Sequence, residues 1–218
     1  MARITRVVAP GLPHHVTQRG VRRMHIFFSD DDREEYLQLM AEQGERYGVQ
    51  FLAWCLMDNH VHLIAVPNKE ESLAKAIGEA HKRYSRIVNL REGWRGYLLQ
   101  GRFFSCPLEG LYAVAATRYV LRNPVRARLC SQAWDYRWSS ARWLVGLEDT
   151  DPLAAWSPLL DEIHDWRAVL RVKPEEAMHI RKCTRTGRPL CSDEFLGHLE
   201  NLTGRSLRLR KPGRKPKK

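Results

Sequence analysis

Residues 49–57 and 60–66 are two β-rich runs separated only by Asp58-Asn59, and a two-residue connection of turn-forming residues leaves adjacent strands no choice but an antiparallel hairpin. The flanking segments must pack around it. Residues 14–18 read as a short strand ending before Gly20. Ser29 followed by Asp30, Asp31 and Asp32 is a helix start, with acids at the positive end of the dipole, and the helix runs to Tyr47 and stops at Gly48. Leu73, Ile77, Ala80, Tyr84, Ile87 and Val88 give residues 71–90 an amphipathic helical period. Residues 97–106 are expected as a strand, and 109–122 as a second helix halted by Asn123-Pro124. The order β-α-β-β-α-β-α predicts an α+β fold: a ferredoxin-like four-stranded antiparallel sheet with packed helices.

Beyond Arg128 the pattern changes. Trp134, Trp138 and Trp143 brace a short helix near Ser139, and residues 152–158 read as a connecting loop. Residues 174–183 and 192–202 read as helices, closed by Gly204. We therefore expect three regions: 1–146 as the main domain, 147–202 as a smaller helical extension, and 203–218 as a basic tail that is disordered when free.

The net charge of +11 sits in two zones. Residues 74–128 carry eleven Lys and Arg against three acids, and residues 203–218 carry eight with no acid, which leaves the remainder slightly acidic. Such zones suit a polyanion, either nucleic acid or an anionic membrane surface. The longest apolar run is seven residues at 51–57, far short of the roughly 20 of a membrane span. The N-terminus lacks the apolar stretch of a secretory signal, so a cytoplasmic protein with no membrane partner is expected. Five scattered cysteines with no Cys-x-x-Cys pair exclude a disulfide framework and a zinc ribbon. Tyr84, Trp94, Tyr97, Phe103, Phe104, Tyr112 and Tyr119 interleave the inner basic zone, as where bases stack while cations track phosphates, although rings at helical spacing also build cores.

His60-Val61-His62 opens a strand, so both imidazoles project from one face beside a tight turn. The pair is either an ordinary strand pair or the start of a metal site. Tyr119 and Asn123 are four apart and share a helix face, either as a core residue and a helix stop or as functional groups. In the functional reading the phenol attacks a phosphodiester, the amide oxygen completes a metal site with two histidines, and Arg118, Arg122, Arg126 and Arg128 hold the phosphate backbone. Tyr84, in Lys82-Arg83-Tyr84-Ser85-Arg86, is the rival nucleophile, ranked second because position 88 is Val and offers no amide partner. Gln18 and Arg19 on the first strand either touch DNA or the metal's outer shell or play a structural role, the reading we favour.

The ordered set Met57-Asp58-Asn59-His60-Val61-His62-Leu63-Ile64, Gln100-Gly101-Arg102-Phe103, Tyr119 through Asn123-Pro124-Val125-Arg126-Ala127, and Asp135-Tyr136-Arg137-Trp138-Ser139-Ser140 resembles the motifs of REP-associated tyrosine transposases, members of the HUH single-strand nucleases. The resemblance spans residues 10–145, and Thr186-Gly187-Arg188-Pro189-Leu190 with Gly204-Arg205 looks like the extension many such proteins carry. Asp58 departs from the pattern, standing where the family often has proline. The resemblance implies a transposase-like endonuclease and strand transferase acting on single-stranded or hairpin DNA of the REP palindromic type. It implies Tyr119 as nucleophile, yielding a 5′-phosphotyrosine link and a free 3′-OH, and a divalent Mg²⁺ or Mn²⁺ held by His60, His62 and Asn123. The DNA contacts expected are Lys82, Arg83, Arg86, Arg102, Arg118, Arg122 and Arg126 in the body, and Arg205, Arg208, Arg210, Lys211, Arg214 and Lys215 at the C-terminal end. Either a monomer or a homodimer is compatible with one tyrosine per chain.

Two other readings compete. A metal-free phosphoesterase built on two His-x-Ser/Thr motifs is matched by His15-Val16-Thr17 but broken by His60-Val61-His62, which has histidine where the hydroxyl belongs. A DNA-binding protein that recognises folded strands without cutting would use the basic zones and rings and need neither Tyr119 nor the histidines.

Overall fold

The hairpin forms the edge half of a four-stranded antiparallel sheet in a computed structural model that describes residues 5–208. The strands are β1 (His14–Arg19), β2 (Val49–Met57), β3 (His60–Pro67) and β4 (Phe104–Pro107), in the spatial order β2-β3-β1-β4. This is the order of a split β-α-β unit, and the α+β class read from the sequence holds. The register pairs His15 with Ile64, Thr17 with His62 and Arg19 with His60, so these residues share one face. Val16 and Gln18 pair with Leu63 and Val61 and point to the other.

The helices follow local signals. In α1 (Asp30–Tyr47) the Ser29 hydroxyl accepts from the Asp32 amide at 3.2 Å, while the Asp32 carboxylate accepts from the Phe28 amide at 2.7 Å. Gly48 ends it with φ +66°, and any Cβ there would lie within 2.3 Å of the Asn68 side-chain amide. Helix α2 (Ser72–Glu92) packs on α1 through Tyr84 and Tyr36, whose rings meet edge-on 5.3 Å apart. Arg91 of α2 adds a salt bridge to buried Asp32. Helix α3 (Gly110–Leu121) packs on β2 and β3, and its Tyr119 places it over the histidine face.

Several expectations need correction. The strand foreseen over 97–106 is confined to Phe104–Pro107, with one isolated bridge from Leu99 to Gly20, because Gly101 at φ +46° turns the chain out of the extended conformation. Helix α3 stops at Leu121, just ahead of Asn123-Pro124 as expected. Pro124 occupies the first turn of a short helix α4 (Asn123–Arg126) that starts as α3 stops, where a missing N–H is harmless.

The helices α5 (Ala141–Leu144), α6 (Pro158–Asp161), α7 (Trp166–Arg171), α8 (Ala177–Thr186) and α9 (Asp193–Thr203) complete the described chain. Residues 147–202 are not a separately packed unit. Leu160, Trp166, Leu170, Ile180 and Leu190 are fully or almost fully buried in the same core as the sheet, and α8 packs on β4 and β1. Within the expected tail, residues 203–208 are packed: Leu207 is buried with Val7, Ala9 and Leu199, and Arg205 donates to the carbonyls of Thr5 and Arg6. The rest of the expected tail, with Arg210, Lys211, Arg214 and Lys215, lies outside the described residues. All five cysteines are free. Among the described residues no helix is long and apolar enough to cross a membrane.

Candidate active site

Strand register, not sequence proximity, assembles the site. His60 and His62 from β3, His15 from β1, Tyr119 from α3, Arg126 from α4 and Arg181 with Thr184 from α8 line one cavity of about 690 Å³. The His60 and His62 rings lie 5.0 Å apart at 81°. The Tyr119 ring meets His62 and His15 edge-on, 5.7 Å from each. Tyr119 is 5% exposed, and its hydroxyl accepts from Arg181 Nε at 3.1 Å and, at the long limit of 3.5 Å, from Arg126 Nη1. Two guanidiniums thus flank the phenol oxygen and stand within 6 Å of its ring.

The imidazoles are held in a form that can coordinate. Burial pushes His60 down to about 4, with Arg19 adding to the effect and Asp58 opposing it. Burial likewise holds His62 well below its ordinary value, reinforced by His15, His60, Arg19 and Arg181, and pushes His15 to about 3. All three are neutral at pH 7. His60 Nδ1 lies 2.7 Å from the Asn59 side-chain oxygen, and the Asn59 amide nitrogen donates to the Arg23 carbonyl, so the oxygen can only accept and His60 Nδ1 carries the proton. That leaves Nε2 of His60 with a bare lone pair. His62 Nδ1 is engaged by His15 at 2.9 Å, and among the described residues no hydrogen-bond partner reaches its Nε2.

Two imidazoles with their Nδ1 atoms tied back fit a divalent cation. Asn123 does not join them. It is buried, its amide nitrogen donates to the carbonyls of Tyr119 and Val120 at 2.9 and 3.0 Å, and its oxygen accepts from Arg126 Nη2. In this arrangement the Asn123 oxygen faces a guanidinium and anchors Arg126, and Asn123 does not line the cavity that holds His60 and His62. Among the described residues no three His, Cys, Asp or Glu side chains form a metal-holding group.

The other expected residues divide. Tyr84 is buried and its hydroxyl donates to the Ile26 carbonyl at 2.5 Å, in the α1 and α2 core, which removes it as a nucleophile. Gln18 alternates to the other side of β1, where its amide donates to the carbonyls of Gln100 and Gly101, yet it and Arg19 are among the residues that line the Tyr119 cavity. Arg118 pairs with Glu176 at 3.0 Å, and Arg122, its guanidinium pKa lowered by burial and by Arg118, donates to the Leu170 carbonyl. Neither lines the cavity; both tie α3 to the extension. Lys82, Arg86 and Arg102 line a second cavity, about 680 Å³, with Trp94, Tyr97 and Phe103. Arg83, on the same helix, pairs with Glu79 at 3.2 Å, and Arg208 with Glu200 at 3.5 Å.

Sequence reasoning missed His15, Arg181, Arg185 and Thr184 as parts of the site. His15 surfaced only in a rejected phosphoesterase motif. The spacing of Arg181 and Arg185, one helical turn apart, was the available signal for a basic face on α8.

A model of the family described as "Transposase IS200 like" matches residues 10–123, just over half of the chain. A solved REP-associated tyrosine transposase bound to a REP hairpin is similar in fold at TM-score 0.59 and 16% identity, covering 72% of this chain and 93% of that one. A protein of Deinococcus radiodurans R1 designated a transposase aligns at TM-score 0.38 and 17% identity, over 59% of this chain and 92% of that one. No curated protein matches the sequence. The family match covers all four strands and α1 to α3 of the fold built above, including His60, His62 and Tyr119, and the chain belongs to the IS200-like transposases.

Proposed function

We propose that the protein is a single-stranded DNA endonuclease and strand transferase that recognises hairpins of the REP type and cuts through Tyr119. The observation that carries this reading is the convergence of one phenol, two neutral imidazoles and two guanidiniums in a single cavity. A phosphodiester in that cavity meets a nucleophile and cations that can bear its charge.

The step balances as a transesterification. The Tyr119 oxygen forms a bond to phosphorus, the bond from phosphorus to the 3′ oxygen breaks, and the proton lost by the phenol is matched by the one gained at the released 3′-OH. The strand on the 5′-phosphate side stays linked to Tyr119, and the conserved phosphodiester energy allows a second 3′-OH to reverse the step on a new strand. Arg126 and Arg181 hold the non-bridging oxygens and stabilise the phenolate as it forms. Asn123 fixes Arg126 in place. His60 and His62 would hold a divalent ion, Mg²⁺ or Mn²⁺, which supplies Lewis-acid polarisation of the scissile phosphate when bound.

The hairpin partner is brought from the solved transposase that this fold resembles. Charge and stacking support it: Lys82, Arg86 and Arg102 beside Trp94 and Tyr97, the latter 86% exposed, form a trench suited to unpaired nucleotides and their phosphates. The test is incubation with hairpin-bearing single-stranded DNA and Mn²⁺ or Mg²⁺. A covalent adduct mapped by peptide mass to Tyr119 is expected. Binding without any adduct on any strand, with both metals, would favour the non-cleaving DNA-binding reading.

A further inference from the structure

A buried chain of hydrogen bonds links α8 to the imidazole of His62. His15 lies diagonal to His62 across β1 and β3, and the two rings stack with centroids 5.1 Å apart and planes within 15°. His15 Nε2 is 2.9 Å from His62 Nδ1, and His15 Nδ1 is 2.7 Å from Thr184 Oγ1. Thr184 Oγ1 in turn lies 2.8 Å from the Ile180 carbonyl, one turn back on α8. His15 and Thr184 are both buried.

A chain of this kind runs in only one of two directions, and the carbonyl chooses. Ile180 O cannot donate, so the Thr184 hydroxyl spends its one proton there and presents only lone pairs to His15. His15 Nδ1 must then carry a proton, and a neutral imidazole has none left for Nε2. That bare Nε2 accepts from His62 Nδ1–H, which leaves His62 Nε2 bare toward the cavity. Cys106 fits the same direction: its sulfur is 3.4 Å from Thr184 Oγ1, and burial pushes the thiol to about 12, so it keeps its proton and can donate to the same oxygen. The opposite direction would have Thr184 donate to His15 and His15 donate to His62. It would put a proton on His62 Nε2 and block that nitrogen as a ligand.

We propose that His15 and Thr184 are positioning residues which, through the Ile180 carbonyl, lock His62 in the Nδ1–H tautomer and so create its metal-ligating Nε2. Asn59 imposes the same tautomer on His60 by an unrelated route, and the two strand histidines thereby present matching lone pairs. The helical extension is on this account part of the active centre. The proposal concerns how the metal reading above is realised and rests on it only for the consequence, not for the tautomer.

The tautomer is read directly by long-range proton–nitrogen NMR on the metal-free full-length protein with ¹⁵N-labelled histidine at pH 7. His62, His15 and His60 are each expected as Nδ1–H, and a proton on His62 Nε2 overturns the proposal. Thr184→Val removes the oxygen and keeps the shape. It is expected to scramble the His15 and His62 tautomers and weaken Mn²⁺ binding on the order of 10-fold or more, as loss of an outer-shell partner does. Thr184→Ser restores both. Unchanged tautomers and Mn²⁺ affinity in the valine variant would overturn the relay. If that variant fails to fold, the wild-type spectrum and the serine variant still decide. A wild-type His62 that shows Nδ1–H while Mn²⁺ binding proves independent of His60 and His62 would support the relay and defeat the metal reading alone.

Discussion

The Tyr119 ring stands edge-on to the His62 ring at 5.7 Å, although one residue lies in a helix and the other in a strand that the chain reaches much earlier. A phenol in that position is close to whatever the imidazole holds. Tyr119→Phe is expected to reduce nicking of hairpin-bearing single-stranded DNA on the order of 10³-fold or more while leaving hairpin affinity unchanged. Tyr84→Phe should nick at the parental rate and lose on the order of 1 kcal/mol of stability, because it removes a buried hydroxyl from the Ile26 carbonyl. Equal cutting by the Tyr119 variant would remove the nucleophile assignment.

Arg181 and Arg118 face different partners, which separates rate from stability. Arg181→Ala should slow cleavage on the order of 10²-fold, since its Nε reaches the Tyr119 hydroxyl. Arg118→Ala breaks only the pair with Glu176 and should shift the unfolding midpoint with little change in rate. Single-turnover rates beside urea titrations distinguish the two.

Asn123 provides a clean contrast with the histidines. Asn123→Ala is expected to leave Mn²⁺ affinity within about 3-fold of the parent, against the roughly 10-fold or larger loss that follows even an outer-shell change at a metal site. His62→Ala should abolish Mn²⁺ binding. The alanine variant should nonetheless cleave more slowly, because Arg126 loses its anchor. Loss of Mn²⁺ binding in calorimetry of Asn123→Ala would return Asn123 to the ligand set.

Buried neutral histidines make the fold acid-sensitive. Burial pushes His81 to about 3, and burial outweighing a bond to the Leu12 carbonyl takes His14 to about 4. An unfolded histidine protonates near pH 6.5, so between that value and the folded one the unfolded state binds an extra proton per residue. Stability from this source is complete above pH 6.5 and is lost as pH falls below it. His81→Leu should therefore flatten the slope of unfolding free energy against pH between 5 and 6 by about 1.4 kcal/mol per pH unit. Urea unfolding at several pH values reads the slope, and an unchanged slope would refute the assignment.

The trench beside α2 gives a binding prediction. Tyr97→Ala should weaken hairpin binding by about 1–3 kcal/mol if a base stacks on the exposed ring. Arg86→Ala should lower affinity and reduce the salt slope by about one unit. Fluorescence anisotropy across a salt series measures both, and wild-type values in both variants would place the nucleic acid elsewhere.

Much of this protein was legible in one dimension because the signals are local. Asp58-Asn59 favours a hairpin, Ser29 and Gly48 bound α1 through the capping bond and the positive φ these residue types favour, and the alternation of a strand puts His60 and His62 on one face whatever surrounds them. The strand expected over 97–106 failed because a glycine's conformation depends on the tertiary path it is asked to follow. The site itself was half legible. Tyr119, His60 and His62, singled out in the sequence, line one cavity, whereas helical spacing puts Asn123 on the face of Tyr119 without reporting that its oxygen meets Arg126. Only folding brings His15, Arg181 and Thr184 to the cavity, since strand register and the docking of α8 are set by burial summed over the whole core. The sequence by itself thus determined which chemical groups the protein owns and the local elements that bear them. The tertiary structure decided which of those groups meet, because contact between distant residues is a property of packing that no local pattern encodes.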